Sequence, residues 1–227
     1  MINPVRHSGS AVLLPPRLFA AVGYYAVMAQ YPSAIIDIGT RYDKNTKSVH
    51  RYDIVDTRGR LSLTVPVSRP SGTHRWCDVT VSAHGRWWEV QRTALESAYG
   101  RTPFFEFYID RLLPLFAARP LPAPETITDL CLRADAIVRD ILALPTAVTT
   151  DIDAVAPAVA IADYRRDIDS RAAEMVRDCR YWQVRADSLG FAAGLSILDA
   201  IFNLGPEASL LLASLPADDS IPMPTPA

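Results

Sequence analysis

The chain has 227 residues, 49% hydrophobic and 21% charged, with a formal net charge of −2. This balance can fill a sizeable core, and it offers neither the broad basic field of a nucleic-acid binder nor a long run of like charge. Cys77, Cys131 and Cys179 are odd in number and lack CxxC-type spacing, which argues against a disulfide framework or a zinc site and fits a reducing cytoplasm.

Residues 12–29 are apolar, but Pro15, Pro16 and Arg17 interrupt them and Tyr24 and Tyr25 suit a hydrophobic region poorly. No run approaches the roughly 18 residues of a spanning helix, so neither an export signal nor a membrane span is expected. Residues 11–14 read as a short strand, 17–30 as a helix with Phe19, Val22, Ala26 and Ala29 inward, and 34–38 as an aliphatic strand. A strand this apolar is buried on both faces, as in a parallel sheet. The three together make a βαβ unit. A polar loop at 39–47 leads to a hairpin, 48–56 and 61–67, around a turn at 57–60. Leu61, Leu63 and Val65 alternate with Ser62 and Thr64 there, the pattern of a half-buried strand. Residues 78–81 add a further short strand.

Residues 87–108 form the centre of the chain. Trp87, Val90, Ala94 and Ala98 recur at helical spacing, while Glu89, Arg92 and Glu96 lie on the other side. Gly100 is placed to end this helix in a left-handed cap, with Thr102 and Pro103 as the N-cap and first residue of the next. That second helix carries Phe104, Phe105, Tyr108, Ile109, Leu112, Leu115 and Phe116 on more than one face and is read as buried. A proline-rich link at 120–124 precedes a long helix at 126–144, with Asp129/Arg133 and Asp135/Arg139 as pairs on its wet face. Residues 146–150 read as a strand, 154–162 have no assignment, and 163–180 are charged and irregular. A last helix starts at Ser196 and Asp199 and stops at Gly205-Pro206. The fold class is α/β: a single domain over 1–215, with a mixed sheet, an N-terminal βαβ unit and covering helices. Both strands of the βαβ unit and residues 61–67 are expected in one sheet. Residues 216–227 have four prolines and little to bury, and are expected to be disordered.

No GxGxxG, GxxxxGK[ST], GxSxG or HExxH motif is present. The leads are polar residues in apolar elements and in the loop after the second strand. Tyr42, Lys44, His50 and Arg51 lie beyond a buried strand, where open α/β sheets bind ligands. Lysine and arginine there suit a phosphate or carboxylate, and histidine suits proton transfer; the alternative is a charged hairpin edge. Glu96 is either a base or a solvated partner of Arg92. Asp199 is either a capping carboxylate or the partner of a cation, in which case it would share a cavity with Arg51. His74 and His84 flank Trp76 and Cys77 without metal-site spacing, and no metal is expected.

Several motifs, in order, resemble the WbqC-like family of bacterial proteins. They are Leu14-Pro15-Pro16 with Gly23-Tyr24-Tyr25, then Tyr42 and Lys44 with His50-Arg51, then the strand LSLTVPV at 61–67. Glu96-Ser97-Ala98-Tyr99 follows, with Thr102-Pro103-Phe104-Phe105-Glu106-Phe107-Tyr108. Tyr164-Arg165, Tyr181-Trp182-Gln183-Val184 and Gly190-Phe191 then precede Leu195-Ser196-Ile197-Leu198-Asp199, Phe202-Asn203 and Gly205-Pro206. The resemblance implies a cytoplasmic transferase of amino-acyl or acyl type in bacterial surface polysaccharide or amino-sugar biosynthesis. The alternative is a non-catalytic sugar-nucleotide-binding or scaffold protein of the same pathway. It implies His50, Glu96 and Asp199 as catalytic residues, and Tyr42, Lys44, Arg51, Tyr99, Gln183 and Asn203 as contacts to an anionic small molecule such as a nucleotide sugar or acyl donor. No cofactor is assigned and no nucleic-acid partner is expected. Two departures stand out: Gln91-Arg92 replace the family's histidine-tryptophan, and Ala193-Gly194 replace its proline-asparagine. An amide at 91 does not titrate.

Overall fold

A computed structural model describes residue 7 and residues 9–118, 124–155 and 159–216. In chain order the strands are β1 (Ser10–Leu14), β2 (Ser33–Ile36), β3 (Arg51–Asp56), β4 (Gly59–Thr64), β5 (Val67–Ser68), β6 (Thr80–Val81), β7 (Ala147–Thr149) and β8 (Ala160–Asp163). The helices are α1 (Val22–Ala29), α2 (Trp87–Tyr99), α3 (Phe105–Leu112), α4 (Ile127–Ile141), α5 (Ile168–Met175), α6 (Ala186–Leu189), α7 (Ile197–Leu204) and α8 (Glu207–Ser214).

The molecule is α/β, and its N-terminal βαβ unit is β1-α1-β2. The central sheet is parallel, in the order β7-β2-β1-β8, with Val12 of β1 between Ala34 and Ala162. Aliphatic runs make this possible because both faces are covered. Val12, Leu14, Ala34 and Ile36 face the main core, while Ala11, Leu13 and Ile35 pack with Val155 and Val159 on the other side. Every residue of α1 is buried, and α7 packs against α1, α2, α3 and β3.

The expected strand at 61–67 does not join this sheet. Among the described residues β4 pairs only with β3, and β5 only with β6, as two separate antiparallel pairs. Alternation reports that one face is buried but not against what. The first helix begins at Val22 rather than 17, since Phe19 takes φ 43 and breaks the helical path. Gly100 is right-handed at φ −56 rather than left-handed. The Thr102 hydroxyl donates back to the Tyr99 carbonyl instead of capping α3. Phe105 is buried, whereas Phe107 is 74% exposed, so α3 is amphipathic rather than enclosed. On α4, Asp129 closes a capping box with Thr126 instead of pairing with Arg133. Asp135 is buried, not wet, and accepts from Arg139 Nε at 2.7 Å. The stretch read as irregular contains α5, and its buried Ile168 and Ala172, with Val176 at its C-cap, recur every four residues. The tail expected to be disordered lies, apart from Pro216, outside the described residues; the Pro216 carbonyl accepts from Gln30 Nε2 at 3.0 Å.

Candidate functional site

β1 leads through α1 to β2 on one side, while β8 lies on its other side. The chain therefore diverges at the carboxyl ends of β1 and β8, the position where open parallel sheets bind ligands. A cleft of about 330 Å³ lies there. Residues 17–21 line it from the segment after β1, and Asp169, Ala172 and Ala173 from α5 after β8. Ser48, Arg51, Tyr52 and Asp53 line it from the hairpin, and Gly194 and Ser196 from the approach to α7.

The charges in the cleft are unequally committed. The buried Arg17 guanidinium donates from Nε and Nη2 to the two Asp169 oxygens at 3.1 and 3.0 Å, and from Nη1 to the Pro16 carbonyl at 3.1 Å. Ser48 Oγ donates to the same Asp169 carboxylate at 2.9 Å. Asp53 accepts from Ser62 Oγ at 2.5 Å and Arg60 Nη1 at 2.9 Å. Arg51 is exposed, and among the described residues only its Nε is engaged, with Thr64 Oγ1 at 2.8 Å. Among the described residues it forms no ion pair, so it is the one lining charge without a counter-charge. A guanidinium with free terminal N–H groups is suited to a carboxylate or phosphate.

The apolar wall is strained. Phe19 holds φ 43, an outlier for a bulky side chain, and its ring meets Tyr52 edge-on at 4.9 Å. Burial pushes the Tyr52 phenol far above its usual range, so it stays protonated and donates to Gln91 Oε1 at 2.9 Å. Gln91 Nε2 is buried and has no hydrogen-bond partner among the described residues.

Of the catalytic and binding residues expected from the sequence, Arg51 alone lines the cleft. His50, its neighbour, places Nδ1 2.9 Å from the Val65 carbonyl and its ring beside Trp76; burial lowers its pKa and favours the neutral imidazole. Tyr42 packs on Trp76 with ring centroids 4.6 Å apart, under the Arg69 guanidinium, and Lys44 is exposed. Glu96 lies in a different depression with Thr57, Arg101 and Arg185. Tyr99, Gln183, Asn203 and Asp199 come together, but in the interior. Asp199 accepts from Tyr99 Oη, Tyr181 Oη and Gln183 Nε2, and its carbonyl accepts from Asn203 Nδ2. Ser196 caps α7 through the Leu198 N–H, while its own N–H donates to the Asp53 carbonyl. The Asp199 carboxylate is thus neither a cap nor part of the cleft lining.

Arg17, Ser48 and Asp169 were not singled out. Arg17 carries one usable signal, a charge directly after Pro15-Pro16 in an apolar stretch. Asp169 carries none, because its partner is 152 positions away. Among the described residues no group of three or more His, Cys, Asp or Glu is arranged to hold a metal ion, and no helix is long and apolar enough to cross a membrane. A family model described as the WbqC-like protein family matches residues 16–171. The matched span includes Arg17, Ser48, Arg51, Asp53 and Asp169, and ends before Gln183, Asp199 and Asn203. No curated protein and no solved structure matches the chain.

Proposed function

The chain belongs to the WbqC-like protein family, and from that premise we propose that it is a cytoplasmic transferase of acyl or amino-acyl type in bacterial surface polysaccharide or amino-sugar biosynthesis, with an anionic substrate held in the cleft by Arg51. The observation that carries the binding part is the uncommitted Arg51 guanidinium at the carboxyl ends of β1 and β8. The transfer part rests on the family resemblance. In such a reaction the hydroxyl or amine of the acceptor attacks the acyl carbon, the leaving group departs with its electron pair, and the acceptor's proton passes to a base. Asp169, like Asp53 across the cleft, already accepts from a hydroxyl, in its case that of Ser48. This reading gives Asp169 the proton, with Arg17 holding it in place. His50, turned to Trp76, and Glu96, in its own depression, are set aside from that role. Asp199 becomes a positioning residue for the segment that ends at Gly194 and Ser196 in the cleft wall.

One observation favours a second reading, a non-catalytic sugar-nucleotide-binding or scaffold protein of the same pathway. Gln91 stands where the resemblance implies histidine, buried behind Tyr52, and an amide transfers no proton at neutral pH. Thermal-shift and turnover assays with acetyl-CoA, glycine and UDP-glucose separate the two. The transferase reading expects stabilisation by a donor and release of its leaving group when an acceptor sugar is added. Binding without turnover supports the second reading, and no response to any probe counts against both.

A further inference from the structure

We infer that the ligand is a diphosphate ester, with its diphosphate lying on a basic face beside the cleft formed by Arg41, Lys44, Lys47, Arg69 and Arg75 and joined to the cleft through Arg51. The inference rests on the cleft reading above and names the substrate class for it.

Two loops build this face. The Tyr42 N–H donates to the His74 carbonyl at 2.8 Å, and the Trp76 N–H to the Thr40 carbonyl at 3.0 Å. This pairing sets Arg41 directly opposite Arg75 in an antiparallel bridge. Like charges in opposed positions destabilise a bridge, and an anion between them removes that cost. All six cations are exposed, and among the described residues none forms an ion pair. The carboxylates on the same loops are Asp37, Asp43 and Asp78, and Asp37 is committed to the Gly39 N–H at 2.9 Å and to Arg165 Nη1 at 2.8 Å. Asp43 is turned into its own loop, accepting from the Asn45 N–H and the Thr46 hydroxyl, and Asp78 accepts from the Cys77 thiol. Six cations against three carboxylates is a local excess of positive charge in a chain whose formal net charge is −2. The face is also braced from beneath. Tyr42 lies on the buried Trp76 ring, and the Arg69 guanidinium sits 5.0 Å above Tyr42.

Size points the same way. About 330 Å³ is at the small end of ligand sites and suits a sugar or acyl group. The charged remainder of a nucleotide sugar must then lie outside, and Ser48 and Arg51 at the cleft wall lead directly to Lys47 and the basic loops. A diphosphate carries more charge and has a longer reach than a single phosphate, so it can meet more of these cations at once.

The test is isothermal titration of the full chain at low salt, where exposed charges are least screened. Its soluble probes are uridine diphosphate, orthophosphate and a 20-base duplex DNA; vesicles with and without a polyprenyl diphosphate test a lipid source. Uridine diphosphate, or the vesicles carrying the lipid diphosphate, is expected to bind at least about tenfold more tightly than orthophosphate or plain vesicles, and the double variant Arg41→Gln/Arg75→Gln to lose about tenfold or more with an unchanged melting temperature. Binding to uridine diphosphate assigns a nucleotide source, and binding only to the lipid vesicles assigns a lipid one. Equal affinity for orthophosphate, unchanged affinity in the double variant, or tighter binding of the duplex overturns the inference. Arg51→Ala separates the two readings. If it alone abolishes binding, the cleft stands and the basic face fails. If it has no effect while the double variant does, the face stands and the cleft reading fails.

Discussion

Tyr99 Oη donates a 2.8 Å hydrogen bond to Asp199 Oδ1, joining α2 to α7 across 100 positions of sequence. On the other oxygen, Tyr181 Oη at 2.6 Å and Gln183 Nε2 at 3.0 Å bring in the segment that leads to the cleft wall. Asp199 has no exposed surface. Replacing it by alanine takes the acceptor from the Tyr99 and Tyr181 hydroxyls and leaves Gln183 Nε2 only the Ala192 carbonyl, and Asp199→Ala is expected to lose about 3–5 kcal/mol in urea denaturation, the scale of a broken buried polar pair. A loss below about 1 kcal/mol would show that water reaches the network.

The same carboxylate sets a pH dependence. Desolvation raises Asp199 above its usual 3.8, outweighing the donors from Tyr181, Tyr99 and Gln183. Between 3.8 and the raised folded value, the folded state binds more protons than the unfolded state, so stability falls as pH rises through that window. Asp135, raised by burial despite Arg139, contributes with the same sign. Asp199→Asn removes the first contribution and is expected to give a flatter stability profile from about pH 4 upward. Profiles of equal slope for the two proteins, measured by urea denaturation, would rule out a titrating Asp199.

Phe105 is buried with its ring centroid 5.0 Å from that of Phe202, where α3 meets α7. Phe105→Ala should cost about 3–5 kcal/mol, as other buried aromatic truncations do. A much smaller loss in chemical denaturation would make α3 peripheral.

Gly23 sets how closely α1 approaches α5. A Cβ there would lie 2.2 Å from the Ala172 backbone oxygen, and backbone cannot turn aside as a side chain can. Tyr24 and Ala172 line the cleft from the two helices. Gly23→Ala is therefore expected to lose roughly 1–3 kcal/mol by overpacking and to weaken UDP-glucose binding together with it. A variant that melts like wild type would show that the helices separate freely.

What could be read in the sequence follows the range of the interactions. The aliphatic runs at 11–14 and 34–36 announced a parallel pair, and the alternation at 61–65 announced a hairpin, because both patterns are local. That the hairpin stands apart from the central sheet is a matter of which backbone finds which, and no local pattern carries it. α5 was hidden because its inward residues, Ile168 and Ala172, with Val176 at its C-cap, sit among charges with one alanine in the stripe. The expectation of a ligand site beyond a buried strand chose the loop after β2, but the cleft lies after β1, since β8 closes the other side of that strand. Arg51 was legible as a charge beside the hairpin. The Arg17–Asp169 pair opposite it was not, since it exists only once β1 and β8 are neighbours.

The central claim is that Arg51 holds an anionic ligand in the cleft. Its most direct test is calorimetric titration of wild type and Arg51→Ala with UDP-glucose and acetyl-CoA, alongside their denaturation curves. The expected result is a loss of about tenfold or more in affinity for whichever probe the wild type binds. Stability should change by less than about 1 kcal/mol, because an exposed arginine contributes little to the fold. An affinity unchanged in Arg51→Ala, with the fold intact, would contradict the claim.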